Sequence, residues 1–218
     1  MKKIKIACCG DSITFGLLAT APENSYPAVM QKLLGADCAV ENFGRSGATV
    51  IADYDWHEER PYGPYLKSEE YTSAMASDPD IVVLMLGMND GNPTHCFNTI
   101  NGGAISEYYL SLYEKTLSKI LEGFMNLPSK PKLFLGKTSA MKRVAGEYLS
   151  FDYVYHFTEN LKKIRKIQEE LAEFYKIPLI DTLSDMDDPT YYNDGVHLTD
   201  KGYTQLAGII YEVVKNGI

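Results

Sequence analysis

The 218-residue chain is 45% hydrophobic and 23% charged, a balance that supports a sizeable buried core and excludes a polar, disordered chain. Its 21 Lys and Arg against 29 Asp and Glu leave a net charge of −8, which disfavours nucleic acid and anionic membrane surfaces as partners. Four cysteines (Cys8, Cys9, Cys38 and Cys96) with no C-x-x-C pair exclude a disulfide scaffold and a thiolate zinc site; they fit reduced thiols in the cytoplasm.

The stretch after Met1-Lys2-Lys3 is interrupted by Lys5 and reaches Gly10-Asp11 too soon for a signal-peptide core. No segment approaches the roughly 18 to 20 apolar residues of a membrane span, so neither export nor membrane embedding is expected. In chain order, aliphatic and β-branched runs predict strands at residues 3–9, 38–43, 81–86, 132–136 and 177–180. Between and after them, helical spacing predicts helices at 26–34 (stopped by Gly35), 68–76, 105–126, 156–175 and 200–215, the last with Thr199 as N-cap. The third strand, Ile-Val-Val-Leu-Met-Leu, is apolar on both faces and belongs in the middle of a covered sheet.

Strict alternation of strand and helix predicts a flavodoxin-like, three-layer α/β/α fold. It contains a five-stranded parallel sheet, and one domain spans residues 1–218. The irregular stretches 44–67, 87–104, 138–155 and 182–198 each follow a predicted strand. They therefore gather at the carboxyl edge of the sheet, where open α/β folds bind ligands.

The first strand runs into Gly10-Asp11-Ser12-Ile13-Thr14-Phe15-Gly16, which places the Ser12 hydroxyl at the start of a helix. Gly16 is followed by Leu17-Leu18 where a Walker loop needs Lys and Ser or Thr, and the G-x-S-x-G elbow is absent. This turn alone fits a nucleophile, a helix cap or a phosphate cradle. After the fifth strand comes Asp194-Gly195-Val196-His197, where a carboxylate three positions before a histidine can hold Nδ1–H and leave Nε2 as a base. Gly44, in Asn42-Phe43-Gly44-Arg45-Ser46-Gly47, and Asn89, in Gly87-Met88-Asn89-Asp90, follow the second and third strands; they are candidate oxyanion donors or ordinary turn residues. His57, His95 and His156 have no metal-ligand spacing, so no metal or cofactor is expected.

Ser12, Gly44, Asn89 and His197, ordered after successive strands, resemble the SGNH (GDSL) hydrolase family, with Ile13 in place of the eponymous Leu. The resemblance runs from residue 4 to about 210. It implies Ser12 as nucleophile, His197 as base and Asp194 as its orienting acid, and an oxyanion hole from the N–H groups of Ser12 and Gly44 with the Asn89 side chain. It also implies a small-molecule ester as substrate. The stretches at 68–71, 78–83 and 87–93 are similar to bacterial sialate and other carbohydrate O-acetylesterases, which implies an acetylated sugar. Tyr54, Trp56, Tyr62 and Tyr65 crowd the loop after Gly44, where rings could stack on that sugar, line an acyl pocket or fill core. Aryl-ester, lysophospholipid and thioester hydrolysis remain alternatives, as does, outside catalysis, a flavodoxin-like phosphate or flavin binder.

Overall fold

The computed structural model describes residues 3–51, 63–94, 103–142 and 150–218. In chain order these form β1 (Ile4–Gly10), α1 (Ser12–Phe15), α2 (Tyr26–Leu34), β2 (Cys38–Gly44), β3 (Ala48–Thr49), β4 (Gly63–Pro64) and α3 (Glu69–Ser77). There follow β5 (Ile81–Met85), α4 (Met88–Gly91), α5 (Glu107–Met125), β6 (Lys132–Gly136), α6 (Phe151–Tyr175), β7 (Leu179–Ile180) and α7 (Asp200–Val214). The five main strands form one parallel sheet in the order β2-β1-β5-β6-β7, and β3 pairs with β4 in a small second sheet.

Alternation along the strands divides the core in two. Ala7 and Cys9 of β1 and Val82 and Leu84 of β5 pack on the side of α3, α5 and the later turns of α6. Ile6, Cys8, Ile81, Val83 and Met85 pack on the other side, against α2, α7 and the early turns of α6. All five residues of β5 are buried, as a strand apolar on both faces requires. The result is the expected three-layer α/β/α architecture. The chain runs outward from β1 to β2 and then crosses back to β5, so the sheet reverses its order between β1 and β5. A crevice opens outside the carboxyl ends of strands at such a reversal.

Three local differences from the expected elements have clear causes. Helix α6 begins at Phe151, before residue 156, because Ser150 caps it by accepting the Tyr153 N–H at 3.2 Å. Its first turn, Phe-Asp-Tyr-Val-Tyr, is rich in aromatic and β-branched residues that read poorly as helix. Strand β7 is only two residues long, since the Ile177 N–H is spent on Ala172 O at 2.8 Å and Pro178 has no N–H to give. The single turns α1 and α4 are too short to show a period. No described helix is long and apolar enough to cross a membrane.

Candidate active site

Strand β1 delivers Ser12 as the first residue of α1, and Asp11 caps that turn by accepting the Ile13 N–H at 3.0 Å. The approach is so close that a Cβ on Gly10 would lie 2.2 Å from Thr14 Oγ1 and 2.4 Å from Met85 O. Only glycine fits there. Asp11 is buried, and burial raises its carboxyl to about 6 despite the Ile13 N–H and the proximity of His197.

Across the carboxyl edge, the loop after β7 folds back on itself. Asn193 N–H donates to His197 O at 2.8 Å, and Tyr192 and Leu198 form an antiparallel bridge. Asp194 Oδ1 accepts the Val196 and His197 N–H groups at 3.0 and 2.7 Å, which leaves Oδ2 facing the imidazole. His197 Nδ1–H donates to that Oδ2 at 2.6 Å, and Ser12 Oγ–H donates to His197 Nε2 at 2.9 Å. Burial pushes the Asp194 carboxyl up, but the imidazole and the two N–H groups outweigh it and hold the carboxyl below the usual aspartate range. A carboxylate that stays ionised fixes the imidazole tautomer with Nε2 as acceptor. Residues 185 positions apart in the chain thus form one continuous line of hydrogen bonds.

Asn89, in α4, lies on the same cleft, with Nδ2 donating to Ala48 O at 2.8 Å. Its neighbour Asp90 is fully buried and accepts the Val50 and Ile51 N–H groups at 3.0 Å. The two residues tie α4 to the segment that follows β2. Burial lifts the Asp90 carboxyl to about 7, against the pull of those N–H groups.

The expected role of Gly44 as an oxyanion donor does not fit this geometry. Its N–H donates to Asn42 Oδ1 at 2.9 Å, and Gly44 does not line the cleft. A Cβ there would stand 2.1 Å from Phe15 N, so Gly44 is needed to let β2 lie against α1. The glycine that reaches the cleft is Gly47, beside Ser46 and with a left-handed φ of 76°. Both glycines sit in one Gly-Arg-Ser-Gly turn, and spacing alone does not choose between them.

The cleft has a volume of about 340 Å³. Apart from Ser12, Gly47, Asn89, Asp194 and His197, its walls include Met88, Met141, Phe157 and Val196, with Asn92 and Tyr153 as polar groups. Tyr153 and Phe157 are four apart on α6, an i, i+4 pair hidden by the late start predicted for that helix. The aromatic cluster reads differently: Tyr65 is fully buried, its hydroxyl donates to Phe43 O at 2.7 Å, and it fills core. Tyr54, Trp56, Tyr62, His57 and His95 lie outside the described residues. Among the described residues, no group of three or more His, Cys, Asp or Glu gathers as a metal site.

The GDSL-like lipase/acylhydrolase family model matches residues 8–205. An acetylxylan esterase from Xylanibacter ruminicola is 28% identical over 97% of this chain, and the match covers 43% of that relative. The chain therefore spans less than half the length of this curated relative. Among solved structures, the fold is similar to a carbohydrate acetylesterase from Sinorhizobium meliloti, with a TM-score of 0.75 and 18% identity over 99% of this chain and 100% of that one. It is also similar to the aryl esterase of M. smegmatis, with a TM-score of 0.68 and 19% identity over 98% and 99% of the two chains.

Proposed function

The chain belongs to the GDSL-like lipase/acylhydrolase family of ester-hydrolysing serine enzymes, and we propose that it removes short acyl groups, acetyl foremost, from hydroxyls of carbohydrates. The observation that carries the chemistry is the unbroken line from Ser12 Oγ through His197 to Asp194, at 2.9 and 2.6 Å. Ser12 Oγ attacks the ester carbonyl carbon as His197 Nε2 takes the hydroxyl proton. The carbonyl oxygen, now an oxyanion, is received by the N–H groups of Ser12 and Gly47 and by the Asn89 side chain. As the C–O bond to the alcohol breaks, His197 returns the proton to the leaving oxygen. Water then attacks the acyl-enzyme with His197 as base, the acid departs, and Ser12 regains its proton.

The size of the cleft supports a small acyl group, since about 340 Å³ lies near the lower end of ligand sites. The sugar as leaving group is supported by the relative named as an acetylxylan esterase. Of the two aromatic residues at the cleft wall, Phe157 is buried and Tyr153 is partly exposed, so Tyr153 offers the ring that could meet it.

The test is a fluorophosphonate-labelled preparation mapped by mass spectrometry, run beside a hydrolysis panel. The panel spans p-nitrophenyl esters from acetyl to octanoyl, acetylated xylo-oligosaccharides, O-acetyl sialic acid, glycerol triacetate and lysophospholipid. One adduct on Ser12 and faster acetate release from the sugars than from glycerol triacetate are expected. An adduct elsewhere in an active preparation overturns the nucleophile, and octanoyl turnover equal to acetyl overturns the short-acyl reading.

A further inference from the structure

A second hollow, larger than the catalytic cleft, opens at the opposite, amino edge of the sheet. Its volume is about 590 Å³. Its floor is apolar, made by Leu133 and Phe134 of β6, Ile177 and Pro178 just before β7, Val213 of α7 and Met125 at the end of α5. Three exposed lysines, Lys130, Lys132 and Lys176, stand on its rim.

These lysines differ from seven others among the described residues. Lys137, Lys142, Lys162, Lys163, Lys166, Lys201 and Lys215 each meet a carboxylate at 3.8 Å or less. Among the described residues, none of the three rim lysines has such a partner. Lys130 and Lys132 donate to backbone carbonyls instead, to Met125 O at 3.3 Å and Gly217 O at 2.5 Å. Lys130 and Lys176 also hold left-handed backbone, with φ of 48° and 56°, a conformation that costs any residue but glycine. Negative groups near this edge include Glu122, which accepts the Tyr175 hydroxyl at 2.7 Å, Asp78, which accepts the Ser129 N–H at 3.0 Å, and Asp80, which lines the adjoining hollow with Lys130 and Lys132. In a chain of net charge −8, three cations around an apolar cavity of ligand size form a complementary pair of features.

We infer that this hollow binds an amphipathic organic acid, with its apolar tail on Phe134, Ile177 and Val213 and its carboxylate at the rim lysines. The site is separate from the catalytic cleft and shares no lining residue with it.

Isothermal titration of the whole chain with octanoate, and separately with octan-1-ol, tests this in wild type and in the variants K130E/K176E and V213W. Octanoate should bind wild type at least tenfold tighter than octan-1-ol. K130E/K176E should lose at least tenfold of octanoate affinity while leaving octan-1-ol binding and p-nitrophenyl acetate hydrolysis unchanged. V213W should lose binding of both ligands. Should that substitution disturb folding by circular dichroism, the surface pair of lysines still decides the matter. The inference fails if octanoate and octan-1-ol bind wild type equally, if neither binds, or if octanoate binds K130E/K176E as it binds wild type.

Discussion

Replacing Asp90 with Asn separates two effects that its buried carboxyl combines. The carboxyl anchors the backbone after β3, accepting the Val50 N–H on both oxygens and the Ile51 N–H on one, all at 3.0 Å. Burial also raises its pKa from the ordinary 3.8 to about 7, with the charge of Asp11 pushing the same way. The folded protein therefore holds a proton on Asp90 over a range in which the unfolded chain has released it. The stability that this proton brings is fully present below the unfolded value and is lost as pH rises through about 7. At about 1.4 kcal/mol per tenfold change in proton affinity, the gap is worth about 4 kcal/mol. Asn cannot titrate, and its NH2 replaces one acceptor facing Val50, a loss of roughly 1 to 3 kcal/mol at every pH. The stability of D90N relative to wild type should thus rise by about 2 to 3 kcal/mol between pH 5 and pH 8, from near parity or below to above wild type. Urea unfolding followed by far-ultraviolet circular dichroism at both pH values measures the difference. Asp11 titrates in both proteins and cancels to first order. A stability difference that does not move with pH would refute the reasoning, because it would mean that Asp90 is charged throughout.

Other outcomes follow from the same geometry. Asn89→Ala should lower kcat by about 10²- to 10³-fold with little change in KM, read from steady-state kinetics on p-nitrophenyl acetate. Gly44→Ala should destabilise by roughly 3 kcal/mol, because the new Cβ meets Phe15 N at 2.1 Å and backbone cannot step aside. The expected signature is a lower Tm; an unchanged Tm with depressed kcat would restore Gly44 as a donor. Asp194→Asn should lower kcat by as much as about 10⁴-fold by presenting an amide to His197 Nδ1 and disfavouring the productive tautomer. Because Asp194 is held below the ordinary carboxylate range, its bond to His197 should persist as pH falls below the ordinary aspartate value of about 4 in wild type, visible as a retained low-field Nδ1–H proton signal.

What could be read from the sequence is what strand periodicity controls. A run such as Ile81–Met85, apolar at every position, has no stable place except the middle of a sheet covered on both sides. Once the strands are placed in order and made parallel, the residues just after them share one edge. That is why Ser12, Asn89, Asp194 and His197, distributed over most of the chain, could be expected to meet before any distance was known. The helix cap at Thr199 was equally visible, because a hydroxyl followed by a helical pattern has a local, sequence-readable partner, here the Gly202 N–H group.

What could not be read depends on register and on contacts between distant segments. Gly44 and Gly47 are equivalent as letters in a turn, and what separates them is the alignment of β1 with β2, which sets Gly10 opposite Gly44. That register brings α1 down onto Gly44 and spends its backbone on packing, so the chain must run three residues further before a glycine can turn into the cleft. Asp90 was likewise visible only as the end of a Gly-Met-Asn-Asp motif. Its two N–H partners lie some 40 residues earlier in the chain and become neighbours only after β5 has crossed to the far side of β1. Tyr65 shows the same limit from the opposite direction. In the sequence it belongs to a loop rich in rings, but its hydroxyl caps the Phe43 carbonyl inside the core, and the fully buried ring cannot reach a substrate. Met141, Tyr153 and Phe157, which α6 and a strand-end loop bring to the cleft wall, are the residues at which substitutions should change acyl and alcohol preference while the line from Ser12 to Asp194 is kept intact.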